Sequence, residues 1–211
     1  MANSIDVYRD TMSTQDAQRE AIVDATAELL GRSGAAGLNV TAIMAEAGVS
    51  RTAFYRRFET AHDAVVALLD RLLGLMVDAN DDWLAGKVVG RRDIVEPNLV
   101  HNGAVLAPHV PLICAIVDAA GTDPRLRDAW RSRVIQARID ITESAIRRDQ
   151  AAGAVRATLD PAATAHALTL MNEALVLDIL GRRGGTPEEF ARIAAPLWIH
   201  VLFTDDTGPH G

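Results

Sequence analysis

The sequence predicts an all-α fold of about nine helices, and three observations support this prediction. Aromatic residues make up only 4% of the 211 residues, whereas Ala and Leu, two strong helix formers, are abundant. Apolar residues recur at helical spacing along most of the chain, and no segment alternates apolar and polar residues as a strand would. Capping residues and prolines stand where these helical patterns begin, as they do in the first turns of helices.

The first predicted helix follows an acidic N-terminal arm that contains Asp6 and Asp10. Ser13 and Asp16 have the spacing of a capping box, so we expect the helix to begin there. The apolar residues that follow lie at helical spacing, which predicts one buried face. Gly34 is expected to end the helix, because glycine readily adopts the left-handed conformation of a C-cap.

Two short helices joined by a tight turn are predicted next. Asn39 is a suitable N-cap for a helix over residues 40–47. Gly48 can take a positive φ in the turn, and Ser50 can cap a third helix over residues 51–58. This is the pattern of a helix-turn-helix, in which the second short helix enters the major groove of DNA.

The rest of the chain is predicted to form longer helices. Thr60 and Asp63 form a second capping box, ahead of an apolar helix directed toward Trp83. This helix is long enough to join two domains. Further helices are expected at about 92–106, 109–120, 124–152, 160–181 and 187–203, and Asp-Pro or Thr-Pro pairs open the last three.

Composition excludes several classes of protein. With Cys114 as its single cysteine, the chain can form neither an internal disulfide nor a cysteine-based zinc site. The N-terminus lacks the pattern of a signal peptide, and no uncharged apolar run of about 18 residues predicts a membrane span. Common catalytic and phosphate-binding motifs are absent, so no enzyme activity, metal or cofactor is expected. We therefore expect a cytoplasmic protein without a membrane partner.

The net charge of −7 is unevenly distributed along the chain. The third predicted helix has three arginines and no acidic residue, so a small basic patch lies on an acidic body. Arginine can pair with guanine, threonine can contact a thymine methyl, and tyrosine can hold a phosphate. Arg57 can face either side of the helix, and the alternative is that the arginines only solvate a surface. The candidate contacts with DNA are Arg51, Thr52, Tyr55 and Arg56.

The most distinctive stretch of the chain is 43–58, which contains AEAGVS, a Phe-Tyr pair and then Phe58. With the helices around it, this stretch resembles the TetR family of transcriptional regulators over residues 18–71. The resemblance implies a helix-turn-helix DNA-binding domain at 13–60 and a helical ligand-binding and dimerisation domain at 61–205. The segments ALTLMNEALVL and PLWIHVLF resemble the mycobacterial EthR-type branch of the family.

The resemblance adds Thr41 and Ser50 as candidate contacts with the DNA backbone. It also marks a departure from the family pattern. Members usually have Pro-Ser-Lys after the motif phenylalanine, and that lysine contacts a phosphate, whereas this chain has Glu59, Thr60 and Ala61. This replacement and the acidic N-terminal arm are both expected to weaken phosphate contacts.

Four residues of the C-terminal part are candidates for binding a small molecule. Asn172 is a polar amide on a helix that is apolar nearly all round, and a buried amide needs partners. The matching asparagine of EthR-like proteins holds the ligand; the alternative is a satisfied core or dimer-interface residue. The resemblance also places Trp130 and Trp198 at aromatic pocket positions, with Met171 as a further wall. Core packing is the alternative for these large side chains.

Together these features predict a ligand-responsive transcriptional regulator, and in the simplest case a repressor that binds a near-palindromic operator as a homodimer. A small apolar effector in the C-terminal domain would release it from DNA. The alternatives are an activator, or an architectural DNA-binding protein without a small-molecule ligand; the missing catalytic motifs disfavour a helical enzyme. Dimerisation is expected through the last two helices, whose apolar residues are Leu168, Leu175, Ile179, Phe190, Ile193, Leu197 and Val201.

Overall fold

The computed structural model describes residues 14–78 and 81–203, and within these ranges it contains helices and no strand. The all-α prediction is therefore confirmed. Ser13, Asp6 and Asp10 lie outside the described residues, so the predicted first capping box stays a prediction. The described residues form nine helical rods in succession: α1 Thr14–Ser33, α2 Val40–Ala47, α3 Arg51–Tyr55, α4 Ala61–Asp78, α5 Asp81–Leu84, α6 Arg92–Ala120, α7 residues 124–151, α8 Pro161–Arg182 and α9 Pro187–Leu202.

The caps of α2 and α3 are the ones that local sequence rules predict. The Asn39 side chain accepts a hydrogen bond from the Ala42 N–H (3.0 Å), and the Ser50 side chain accepts one from the Ala53 N–H (3.2 Å). Gly48 between the two helices has φ 63°, which a residue with a Cβ rarely adopts. The predicted helix-turn-helix backbone therefore follows from local capping chemistry.

α3 is shorter than predicted, because it ends at Tyr55 instead of continuing to Phe58. The chain leaves the helix in a turn, and the Phe58 N–H still bonds to the Phe54 carbonyl at 3.0 Å. This turn carries the Phe58 ring into the core, where only 7% of the residue is exposed.

α4 runs from the DNA-binding end of the molecule into the C-terminal domain. The Thr60 N–H donates to Asp63 Oδ2 (2.8 Å), and the Asp63 N–H donates to Thr60 Oγ1 (3.2 Å). The bonds from Thr60 lower the pKa of the Asp63 carboxyl. The helix predicted to reach Trp83 is described as two elements, since α4 ends at Asp78 and Trp83 lies in α5.

A single 3-10 turn at Ala107–His109 joins the two halves of α6, Arg92–Leu106 and Val110–Ala120. The sequence predicted two separate helices there, because proline has no N–H for the helical ladder. Pro108 lies in the first turn of the 3-10 segment, so the chain accommodates the missing donor in one tighter turn. The two halves therefore continue as one rod.

By length and composition alone, α6 and α8 could each cross a membrane, contrary to the expectation from the sequence. Both helices pack against several other helices of the chain, as core helices of a globular domain do. Length and apolar composition are therefore weak evidence for a membrane span here.

The last two helices pack into the core of their own chain. α9 packs against the first half of α6, and α8 packs against the second half of α7. As a result Leu168, Ile179 and Phe190 are at most 3% exposed, and they cannot form the dimer face that the sequence predicted. Leu170 on α8 and Leu197 on α9 are instead 40% and 47% exposed.

A buried carboxylate ties the connection between α5 and α6 to α7. Asp149 is fully buried, and its Oδ2 accepts hydrogen bonds from Trp83 Nε1 (2.5 Å) and the Gly90 N–H (2.8 Å). Its Oδ1 lies 3.2 Å from Arg148 Nε. A Cβ at position 90 would lie 2.9 Å from Trp83 Nε1, so glycine is required for this close approach.

Replacing Asp149 with Ala is expected to lower the free energy of unfolding by about 3 kcal/mol, because two buried donors lose a charged acceptor. The control variant Asp140→Ala removes an exposed carboxylate from the same helix and should change stability by less than about 0.5 kcal/mol. Urea unfolding followed by circular dichroism measures both values. Equal stability of the two variants would show that Asp149 does not secure this connection.

Candidate DNA-binding surface and effector cavity

The second short helix of the helix-turn-helix has one exposed polar face. Arg51, Thr52, Tyr55 and Arg56 are all exposed. Within the described ranges 14–78 and 81–203, no ion pair engages the guanidinium of Arg51 or Arg56. The Arg51 guanidinium lies over the Tyr55 ring, 5.3 Å from its centroid. This face therefore offers two uncommitted cations, a hydroxyl-bearing ring and a threonine to a DNA groove.

Two phenylalanines anchor the same helix on its opposite side. Phe54 is fully buried and Phe58 nearly so, with their ring centroids 6.0 Å apart. Phe54 also meets the Tyr55 ring edge-on at 5.5 Å. Because both phenyl rings are held in the core, the orientation of α3 about its own axis is fixed. Tyr55 must therefore face outward.

Thr41 and Ser50 lie exposed at the starts of α2 and α3. Ser50 Oγ accepts the capping bond of α3, so its own hydroxyl hydrogen stays available to donate to a phosphate. Glu59, which directly follows Phe58, is also exposed. Its charge lies close to the reading face and opposes phosphate contact.

Arg57, which the sequence could not assign to a side of the helix, is half-buried. Its Nε and Nη2 atoms are buried, and neither has a hydrogen-bond partner in the described part of the chain. Arg57, in the turn that follows α3, therefore points its guanidinium inward and does not belong to the exposed reading face.

A second candidate site is a cavity of about 70 Å³ among the C-terminal helices. Helices α4 to α9 all contribute to its wall, and most of the lining is apolar. The principal apolar side chains are Met76, Val77, Trp83, Ile94, Leu99 and Trp198. The polar ones are Arg91, Asn98, Arg138, Thr142, Thr169 and Asn172.

Asn172 and Trp198, two of the predicted ligand contacts, are neighbours in this wall. Trp198 Nε1 donates a hydrogen bond to Asn172 Oδ1 at 3.0 Å. The Nδ2 of Asn172 makes no hydrogen bond to any described residue, so it is the half of the amide that can donate to a ligand. Trp198 packs edge-on against Trp83, with the ring centroids 6.1 Å apart.

Trp130 and Met171, the other two predicted contacts, do not line this cavity. Trp130 Nε1 donates to Glu173 Oε1 at 2.8 Å, and both residues border a surface groove between α7 and α8. Met171 is half-buried against the core. The stretch Arg131–Gln136 of α7 is π-helical, and its extra residue per turn rotates Trp130 relative to the cavity-lining residues that follow.

Arg138 lines the cavity, and reasoning from the sequence missed it. A signal was available, because Arg138 interrupts an apolar stripe at helical spacing that includes Val134, Ile141 and Ala145. Burial lowers the pKa of the Arg138 guanidinium, and the negative charge of Glu173 opposes this effect in part.

α4 connects the two candidate sites. It begins just after the Phe58 anchor, and its last turn places Met76 and Val77 in the cavity wall. It also packs on the π-helical stretch of α7, where Asp70 and Arg133 pair at 3.6 Å. A change of shape at the cavity therefore has a continuous packed path to α3.

Comparison with known proteins matches both halves of the chain. Residues 22–61 match the family model for bacterial regulatory proteins of the tetR family, and residues 102–201 match the C-terminal domain of transcriptional regulator EthR. The HTH-type transcriptional regulator EthR of Mycolicibacterium smegmatis is 24% identical over 188 residues, which cover 88% of this chain and 86% of that protein.

Solved structures share the fold over most of its length. A TetR-family transcriptional regulator from Rhodococcus sp. is 24% identical, with a TM-score of 0.68, over 89% of this chain and 99% of that one. SmeT, the repressor of the Stenotrophomonas maltophilia multidrug efflux pump SmeDEF, was solved in a complex with triclosan. That complex is 20% identical, with a TM-score of 0.66, over 90% of this chain and 93% of that one. With both its helix-turn-helix and its C-terminal helices matched, the chain belongs to the TetR family of transcriptional regulators, and its C-terminal domain is of the EthR type.

Proposed function

We propose that this regulator is a repressor that binds a near-palindromic operator as a homodimer and is released by a small, largely apolar effector. The observation that carries the proposal is the course of α4, which begins beside the reading helix and ends in the cavity wall. Its site of action is the cytoplasm, where the operator DNA is found.

The proposed DNA-binding domain is 13–60, and the proposed effector and dimerisation domain is 61–205. The boundary between them coincides with the start of α4 at Ala61. Two copies of α3 in a symmetric dimer would enter successive major grooves, which suits a palindromic site. The side chains assigned to DNA are Thr41, Ser50, Arg51, Thr52, Tyr55 and Arg56, all of them exposed.

The proposed dimer interface lies on the outer faces of α8 and α9. Leu170 and Leu197 are exposed large apolar residues on these helices, and Ala167 and Ala174 beside Leu170 are exposed as well. Small residues allow close approach of a second chain. Two helices from each of two chains would form a four-helix bundle with two-fold symmetry.

The small size of the cavity suggests how an effector could act. A volume of about 70 Å³ is well below the roughly 300 Å³ of a typical ligand site. An effector of more than a few atoms must therefore displace wall residues, and Met76 and Val77 belong to α4. Displacing α4 would change the spacing of the two reading helices, and a coupling of about 1–3 kcal/mol is enough for regulation. The triclosan complex of SmeT supports a small-molecule site in this fold.

Arg51→Ala and Tyr55→Ala are each expected to weaken binding to the DNA upstream of the regulator's own gene by about 1–3 kcal/mol, since each removes one groove or phosphate contact. Arg125→Ala, at an exposed arginine of α7, is the control and should bind like the parent. Electrophoretic shift assays at constant salt measure all three variants. Parent-like binding by both α3 variants would contradict the assignment of α3.

Leu170→Glu combined with Leu197→Glu is expected to convert the dimer to monomer, because four carboxylates would be buried in the bundle. Val88→Glu changes a valine that is 42% exposed on the α5–α6 connection, and it should stay dimeric. Analytical ultracentrifugation at micromolar concentration distinguishes the two species. A parent protein that sediments as a monomer would refute the proposed interface.

Asn172→Leu is expected to weaken binding of octanamide, a neutral apolar probe, about tenfold by removing one hydrogen-bond donor. Its operator affinity should stay within about twofold of the parent's, since Asn172 is far from α3 in the chain and touches no DNA contact. Fluorescence of Trp83 and Trp198, which line the cavity, reports probe binding. Gln136→Leu removes an exposed amide of α7 and serves as the control. Equal probe binding by Asn172→Leu and the parent would contradict the role of this amide.

A further inference from the structure

The charged side chains that line the cavity are both cations. They are Arg91 and Arg138, and no Asp or Glu belongs to the lining among the described residues. Arg91 is exposed and pairs with Asp93 at 2.5 Å, so its charge is balanced at the surface. Arg138 has neither an ion pair nor a hydrogen bond within residues 14–78 and 81–203.

The surroundings of Arg138 are unfavourable for an unpaired cation. Arg138 is half-buried, and this burial lowers the pKa of its guanidinium while the charge of Glu173 raises it to a smaller extent. Glu173 does not form an ion pair with Arg138. Its Oε1 instead accepts a hydrogen bond from Trp130 Nε1 at 2.8 Å, outside the cavity. A guanidinium keeps its proton in proteins, so Arg138 brings to the cavity wall a positive charge that no ion pair within the described residues balances.

The other polar groups in the wall can also donate hydrogen bonds. Thr142, Thr169 and Asn172 are 6%, 2% and 8% exposed and line the cavity. Neither threonine hydroxyl nor the Asn172 Nδ2 is hydrogen-bonded within the described part of the chain. The unbonded polar atoms of these three side chains are not fully buried, so they keep accessible surface at the cavity. All three can therefore donate hydrogen bonds to an acceptor-rich group bound there.

We propose that the cavity recognises a carboxylate at the end of an otherwise apolar ligand, with Arg138 as its charged donor. This inference rests on the proposed effector site and specifies the class of ligand. An ionised carboxylate only accepts hydrogen bonds, and a guanidinium can give it two parallel ones. A neutral amide leaves the charge of Arg138 unbalanced, and an amine is repelled by it.

The test compares straight-chain carboxylates from butanoate to decanoate with the amides and amines of the same chain lengths. Titration calorimetry and tryptophan fluorescence measure binding to the full-length protein. At the length that binds most tightly, the carboxylate is expected to bind at least about tenfold more tightly than the amide, because a charge-assisted pair is stronger than a neutral bond. The amine should bind most weakly.

Three variants assign this preference to one residue. Arg138→Met should remove the preference for the carboxylate and should not lower the thermal midpoint, because an apolar side chain replaces a half-buried charge without an ion-pair partner. Arg138→Lys should keep part of the preference, since it retains the charge without the planar fork. Arg147→Met, at an exposed arginine of the same helix that pairs with Glu143 at 2.5 Å, should behave like the parent.

The failures of the two proposals can be told apart. Equal affinity for the carboxylate and the amide, or an unchanged preference in Arg138→Met, would overturn the carboxylate assignment while leaving an effector site in place. No binding of any carboxylate, amide or amine at any chain length would overturn both the carboxylate assignment and the effector site.

Discussion

The structure depends most on one constraint, which is that α4 belongs to two packed regions at once. Ala64, Leu68 and Leu69 are fully buried in its first turns, and Leu72 and Met76 are nearly so further along. Since the packed interior has little free volume, α4 cannot move at one end without moving at the other. The Thr60 cap fixes the N-terminal end of α4 next to the reading helix α3. A movement of the cavity wall at the other end of α4 is therefore transmitted to α3.

The cavity has walls of unequal rigidity. The buried Asp149 carboxylate holds Trp83 and Gly90 through two hydrogen bonds, and Trp83 in turn packs on Trp198. On this side a displacement must break charged hydrogen bonds. On the α4 side the wall is formed by the Met76 and Val77 side chains, and methionine adapts its shape easily. Expansion of the cavity is therefore easier toward α4.

Local chemistry explains which features could be predicted from the sequence. The caps at Asn39, Ser50 and Thr186 depend on groups three residues away, so the pattern alone identifies them. Which side chains of the C-terminal helices face the same way depends on the number of residues per helical turn. This number changes where α7 and α8 become π-helical, so side-chain directions calculated for an ideal α-helix are wrong beyond those stretches. The resemblance placed Trp130 at the cavity without accounting for this change, and the interruption of an apolar stripe by Arg138 was overlooked. Phe190 was assigned to the dimer face for another reason, because its burial is decided by packing of α9 against α6.

The π-helical stretch also places the charge of Arg138 where it can matter for regulation. Arg138 lies two residues after the stretch Arg131–Gln136, and that stretch packs on α4, with Asp70 and Arg133 paired across the contact. A ligand shifts an equilibrium only by the difference in its affinity for the two states. Apolar contacts change little when a wall moves slightly, whereas a two-bond contact with a guanidinium depends strongly on distance and direction. A charged group bound at Arg138 would therefore distinguish the two positions of α4 more sharply than an apolar chain alone.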